Sequence, residues 1–180
     1  MRIISGTNKG RIIHPPQNLP VRPTTDFAKE SIFNILNNNF ELDGLKVLDL
    51  FCGTGNISFE FASRGCTSIT SVDNHYNCCE FVKKTALNFK MNQIKVIKMD
   101  VFAFLKKAIA PYDIIFADPP YDLENINTIY EMVFTKLILK ENGWLIIEHG
   151  ITTNLSSLPY FLEKRTYGNV NFSIFSNSSS

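Results

Sequence analysis

The sharpest chemical signal in this 180-residue sequence is the tetrapeptide Asp118-Pro119-Pro120-Tyr121. Two consecutive prolines fix a rigid turn with few backbone donors and leave carbonyls aimed outward. The Asp118 carboxylate and the Pro119 carbonyl can then each accept from one hydrogen of a base amine. That fixes the amine and draws its nitrogen lone pair out of the ring, towards an incoming methyl group. Tyr121 offers a ring for stacking, a contact typically worth ~1–3 kcal/mol. A base inside a duplex cannot enter such a slot, so the target is expected to be unpaired or flipped out.

A second cluster lies upstream, in Asp49-Leu50-Phe51-Cys52-Gly53-Thr54-Gly55. Gly53 and Gly55 permit a sharp bend and close approach of the backbone to a ligand. The loop lacks the G-K-[ST] that holds a triphosphate. It also lacks the full G-x-G-x-x-G of dinucleotide sites, because Ser58 stands three positions after Gly55. Taken alone, such a loop is equally a simple turn. Four successive apolar runs, however, finish at Asp49, Asp73, Asp100 and Asp118, as in a lined cleft. Asp73, with Asn74 beside it, is expected to bond both ribose hydroxyls and to oppose a 2′-phosphate. Asp100 would accept from an adenine amine while the Val101 backbone amide donates to the ring. An adenosine pocket without a pyrophosphate cradle fits S-adenosylmethionine better than NAD. Transfer from a sulfonium then depends mainly on holding nitrogen and methyl about 3–3.5 Å apart. His149, after Glu148, is a lesser candidate for reaching the cleft; His75 reads as a surface residue and Trp144 as core.

The elements that must position these groups alternate in type. Prolines at 15, 16, 20 and 23 exclude a long helix from the first segment, where Arg2-Ile3-Ile4 and Arg11-Ile12-Ile13 suggest one small hairpin. Ala28, Ile32, Ile35 and Leu36 share one face of a helix that Thr24 or Thr25 caps. Strands are then predicted over 47–50, 68–73, 94–99, 112–117 and 144–148. Helices are predicted over 56–64, 75–91, 101–109 and 125–137, the second burying Cys79, Val82, Ala86 and Phe89. Single helices between strands imply right-handed crossovers and a mostly parallel sheet covered on both faces. Segments 160–165 and 171–175 flank Tyr167-Gly168-Asn169, a hairpin signature. The whole reads as an α/β Rossmann-like sheet of seven strands ending in an antiparallel pair, with Ser176 to Ser180 disordered. The expected organisation is an arm at 1–23 and one domain at 24–180.

Bulk properties set the limits. An apolar fraction of 44% and a net charge of +1 describe an ordinary globular chain, so a polyanion must be met by a local patch. From Met1 to Thr25 the charged residues are Arg2, Lys9, Arg11 and Arg22, with no acid among them; taken alone they read first as a solvated surface with a few cations and second as a patch for phosphate contact. Cys52, Cys66, Cys78 and Cys79 form no C-x-x-C pair and read as buried thiols in a reducing compartment. The three histidines lack ligand-like spacing to them, so no metal is expected. With no signal peptide and no apolar run long enough to span a membrane, a cytoplasmic protein is expected, and a monomer.

The sequence resembles the RsmD family of bacterial 16S ribosomal RNA guanine-N2 methyltransferases over nearly its whole length. The resemblance is carried by Met1 to Gly6, Lys9 to Arg11, Arg22 to Asp26, Lys29-Glu30, Phe33-Asn34, Leu48 to Gly55, Glu60, Ser63 to Gly65, Asn88, Asp118 to Tyr121 and Tyr167-Gly168. The Asp-Pro-Pro-Tyr motif and glycine loop are shared with many amino-methyltransferases; the amino-terminal residues are what point to this family. The resemblance implies a class I methyltransferase fold, with Asp49, Phe51, Gly53, Gly55, Asp73, Asp100 and Val101 around S-adenosylmethionine and catalysis by Asp118 to Tyr121. It also implies RNA of the small ribosomal subunit held by the arm. Phe27 stands where the family usually carries Arg, and Asn56 and Ser58 replace smaller residues. A DNA adenine-N6 methyltransferase and a catalytically silent RNA-binding assembly factor are the alternatives.

Overall fold

A computed structural model describes residues 1–17, 19 and 25–178. Helix α1 (Asp26–Asn39) begins at Thr25, whose side chain accepts from the Ala28 amide at 3.2 Å. It buries Ala28, Ile32 and Leu36 as its periodicity predicts, together with Lys29 and Phe33. Then follow β1 (Lys46–Leu50), α2 (Asn56–Ser63), β2 (Ser68–Asp73), α3 (Tyr76–Asn88), β3 (Ile94–Lys98), α4 (Val101–Lys107), β4 (Tyr112–Ala117), α5 (Ile126–Thr135), β5 (Leu139–His149), β6 (Phe161–Tyr167) and β7 (Val170–Ser176). The seven strands form one sheet in the order β3-β2-β1-β4-β5-β7-β6. Pairing is parallel from β3 through β5, and antiparallel between β5 and β7 and between β7 and β6. This is the Rossmann-like architecture that the alternation predicts.

Successive strand residues feed opposite layers, the period-two rule for a sheet buried on both faces. Ile114, Phe116, Trp144 and Ile146 join α1, α2 and α3 in one core. Ile115, Ala117, Leu145 and Ile147 join α4 and α5 in the other.

Several boundaries differ from expectation. The helices end earlier than their apolar periodicity suggests; α3 stops at Asn88, ahead of Lys90 at φ 56°, and its Phe89 is only half-buried. Strand β5 starts five residues before Trp144 and carries an irregularity against β4, with Asn142 at φ 59°. That irregularity explains a correction at the chain end. Ser176 closes β7, and Asn177 is ordered rather than loose. Its side-chain amide donates to the Leu139 and Lys140 carbonyls at 3.1 and 3.2 Å, satisfying acceptors that the ladder leaves over.

The amino-terminal segment forms the small hairpin, bridged at Arg2 and Ile12. It is packed onto the domain, since Ile3 and Ile13 belong to the α1–α3 core. Its bend seats on the end of α2: the Thr7 amide donates to the Ser63 carbonyl at 2.7 Å and the Asn8 amide to Ser63 Oγ at 2.9 Å. Gly6 is required there. At φ 80° a Cβ would lie 1.8 Å from the Ser63 carbonyl oxygen, closer than any side chain can stand.

Candidate active site

A cavity of about 840 Å³ opens beyond the carboxyl ends of β1, β2, β4 and β5, where open parallel sheets bind ligands. It brings together Asp49, Phe51, Gly53, Asp73, Asn74 and Asp100 on one side and Asp118, Pro119, Pro120 and Tyr121 on the other. Two predicted residues do not line it. Gly55 faces inward, where a Cβ would meet Val82 at 2.9 Å and Phe59 at 3.0 Å. Its lack of a side chain serves core packing and a left-handed helix start, not ligand approach. Val101 packs its side chain into the core with Leu105 and Val72, so a role towards a ligand falls to its backbone amide.

The four acids sit differently around the rim. Asp73 closes β2, and Asp118 follows β4 directly. Asp49 lies one residue before the end of β1, while Asp100 stands two beyond β3 and caps α4 through the Ala103 amide at 2.9 Å. Asp73 pins the glycine loop: its carboxylate accepts from the Gly53 amide and the His75 amide, both at 2.8 Å. His75 itself lines the cavity and caps α3.

Asp49 is buried and accepts from Ser58 Oγ, which also bonds Ser71 Oγ at 2.7 Å. The serine after the glycine loop is therefore a polar tie between β1, α2 and β2. Burial pushes the Asp49 carboxyl up from 3.8 to about 7, against the Ser58 hydrogen bonds. A folded-state pKa above the unfolded one gives stability that is full below about 3.8 and is lost as pH rises to about 7. Asp49→Asn removes the group from this linkage. The stability of the variant relative to the parent is expected to rise with pH across that window, by at most ~4 kcal/mol. Denaturant titrations of both proteins at a series of pH values measure it; parallel profiles would show that Asp49 stays ionised when folded.

His149 does not face the cavity. Its Nδ1 pairs with the Gly150 carbonyl at 2.9 Å and its Nε2 with Ser173 Oγ at 2.8 Å, and burial lowers its pKa. The residue that does face it is Glu148, a buried carboxylate that the sequence reading did not select. The four cysteines are free and buried; burial pushes the Cys66 thiol to about 12 and Cys78 to about 11.

Of the predicted RNA-contacting residues, Arg2, Lys9 and Arg11 are exposed, and Arg22 lies outside the described residues. The Arg11 guanidinium stacks 4.8 Å from the Phe89 ring centre. Lys9 sits at the hairpin bend, which docks at Ser63 on the end of α2 away from the cavity. At the cavity mouth, Phe27 meets Tyr167 edge-on, their centroids 5.9 Å apart, and both residues line it.

Residues 1–176 match the family described as Conserved hypothetical protein 95. The Escherichia coli (strain K12) protein named Ribosomal RNA small subunit methyltransferase D is 30% identical over 169 residues, covering 88% of this chain and 79% of the relative. The chain belongs to the RsmD family. Another relative, YlbH of Bacillus subtilis (strain 168), is 32% identical over 182 residues, covering 97% of this chain and 98% of its own. Among solved structures, yhhF from Escherichia coli superposes with a TM-score of 0.89 at 21% identity, over 100% of this chain and 99% of that one. SMU.776, solved in complex with SAH, gives 0.65 at 22% identity, over 82% of this chain and 49% of its own. These two share the fold. Within the RsmD family frame, the cavity joins the glycine loop and the Asp-Pro-Pro-Tyr turn in one space. Among the described residues no helix is long and apolar enough to cross a membrane.

Proposed function

We propose that this RsmD-family chain is an S-adenosylmethionine-dependent methyltransferase acting on the exocyclic N2 amine of a guanine in 16S ribosomal RNA of the small subunit. The observation that carries the reading is the single cavity lined both by the glycine loop with Asp49, Asp73 and Asp100 and by Asp118 to Tyr121. Carboxylates suit the hydroxyls and amines of an adenosine bearing a cationic amino-acid tail. The described residues that line the cavity include Asp49, Asp73, Asp100, Asp118 and Glu148 and no Lys or Arg, a lining better matched to a cationic ligand than to a phosphate-bearing one. The bound cofactor supplies an electrophilic methyl group on a sulfonium.

The chain's own residues do the rest. Asp118 and the Pro119 carbonyl accept from the two amine hydrogens and turn the nitrogen lone pair towards the cofactor side of the cavity. Tyr121 is 65% exposed and lines the cavity, which supports its reading as the ring that stacks on the base. Once the new C–N bond forms, the amine is acidic, and Asp118 takes its proton directly or through water. Residues 1–23 serve as the RNA-contacting arm of the domain spanning 24–180, with Arg2, Lys9, Arg11 and Arg22 meeting phosphates.

The test is transfer of labelled methyl groups to unmethylated small subunits, free ribosomal RNA and duplex DNA, followed by nucleoside analysis. Label is expected in N2-methylguanosine, mainly from subunits. Label in N6-methyladenine from DNA would keep the chemistry and overturn the substrate. Cofactor binding without transfer to any of the three would favour a silent assembly factor.

A further inference from the structure

Strands β4 and β5 run side by side and in parallel, with Phe116 opposite Ile146 and Ala117 opposite Ile147. One step further along stand Asp118 and Glu148. Ile146 belongs to the core layer shared with Phe116, and Ile147 to the opposite layer. Strand alternation therefore returns Glu148 to the Phe116 face, and Phe116, Asp118 and Glu148 all line the same cavity. Neighbouring strands lie about 4.8 Å apart, so the two acidic side chains stand side by side on one wall of the cavity. Glu148 is 3% exposed, so its carboxylate meets the cavity and hardly any bulk solvent.

A carboxylate at this place is chemically selective. Ionised, it accepts hydrogen bonds and donates none. Among the amines on the common bases, guanine N2 is flanked by a ring N–H, at N1. The adenine amine is flanked by N1 and the cytosine amine by N3, both bare acceptors. With its amine held by Asp118, adenine or cytosine would turn a lone pair towards Glu148, whereas guanine would turn a proton. We infer that Glu148 is the residue that selects guanine, accepting the N1 hydrogen while Asp118 and Pro119 hold the neighbouring amine. The inference rests on the proposed methylation of a base amine and adds to it the group that reads which base carries that amine.

The experiment uses small subunits assembled with guanine or with 2-aminopurine at the position that the nucleoside analysis identifies. 2-Aminopurine keeps the amine but presents N1 as an acceptor. The unaltered protein is expected to prefer guanine by roughly 10²-fold or more in kcat/KM, because a site built around an N–H rejects its absence strongly. Glu148→Gln places a donor where the carboxylate was. It is expected to lose activity on guanine and gain on 2-aminopurine, bringing the preference to within about tenfold of unity or reversing it. A carboxylate that merely braced the fold would lower both substrates together. Equal use of the two bases by the unaltered protein, whatever the variant does, would overturn the inference. So would N2-methylguanosine formation with a base preference that Glu148→Gln leaves unchanged, and either result leaves the proposed function standing. Label in N6-methyladenine instead of guanine would overturn both.

Discussion

Asp118→Ala is expected to slow methyl transfer by at least about 10³-fold while changing cofactor affinity by less than about threefold. Removing one preorganised partner of a reacting group commonly costs 10²–10³ in rate. Here the same side chain is also the proposed proton acceptor, a role that contributes a further factor of its own. The fold should tolerate the change. The Asp118 amide donates to the Leu50 carbonyl at 3.3 Å, which ties the turn to β1 through the backbone, and the buried Pro119 follows it. Single-turnover transfer to small subunits with labelled donor measures the rate, and calorimetric titration measures affinity. Asp118→Asn keeps one acceptor oxygen and exchanges the other for a donor, so it should fall between the two proteins. Undiminished turnover by the alanine variant would end the role assigned to Asp118. Loss of cofactor binding alongside turnover would instead make the side chain a brace of the pocket.

The fold was legible because each strand and helix declares itself locally. The run Tyr112 to Ala117 is bounded by Pro111 and Asp118, and β4 has the expected limits. Gly168 at φ 61° turns between β6 and β7, where Tyr167-Gly168-Asn169 predicted a hairpin. The motif residues of the candidate site were legible for the same reason, since they follow strand ends and strand ends converge on one rim. What escaped is what no local pattern encodes. Glu148 closes an apolar run that would look the same if its last residue faced solvent. Gly55 looked like a ligand-facing glycine because its true neighbour, Val82, comes from α3. Asn177 reads as part of a polar tail until β5 supplies irregular carbonyls for it to bond.

Glu60 is the clearest case, and it carries the second large prediction. The sequence marks Glu60 only as one of the residues that carry the family resemblance, and an acid with Arg64 one turn later is an ordinary pairing on a helix surface. In the fold it is fully buried. One carboxylate oxygen accepts from the Ile4 amide at 2.8 Å; the other accepts from the Ser5 amide at 3.0 Å and from Arg64 at 2.8 Å. Lys29, also buried, lies 3.5 Å from it and donates to the Arg2 carbonyl at 2.6 Å and to Asn56 Oδ1 at 2.8 Å. Burial outweighs the pull of Glu60 and Asp26 on Lys29 and lowers its pKa. Asn56, which departs from the family pattern, thus belongs to the same network as the arm. Glu60→Ala would leave Arg64 and two backbone amides without their acceptor and would take the opposite charge from buried Lys29. Breaking a buried pair from one side typically costs 3–5 kcal/mol, and that loss is expected in urea denaturation. The amides of Ile4 and Ser5 should lose protection from hydrogen exchange before the sheet does, because the hairpin's remaining apolar anchors, Ile3 and Ile13, bury little area. A loss under about 1 kcal/mol would mean that those two side chains, with the Ser63 and Lys29 hydrogen bonds, hold the hairpin without Glu60. If instead the hairpin opens first, transfer to subunits should fall while cofactor binding persists, since Asp49, Asp73 and Asp100 stand on strands and turns that the hairpin does not form.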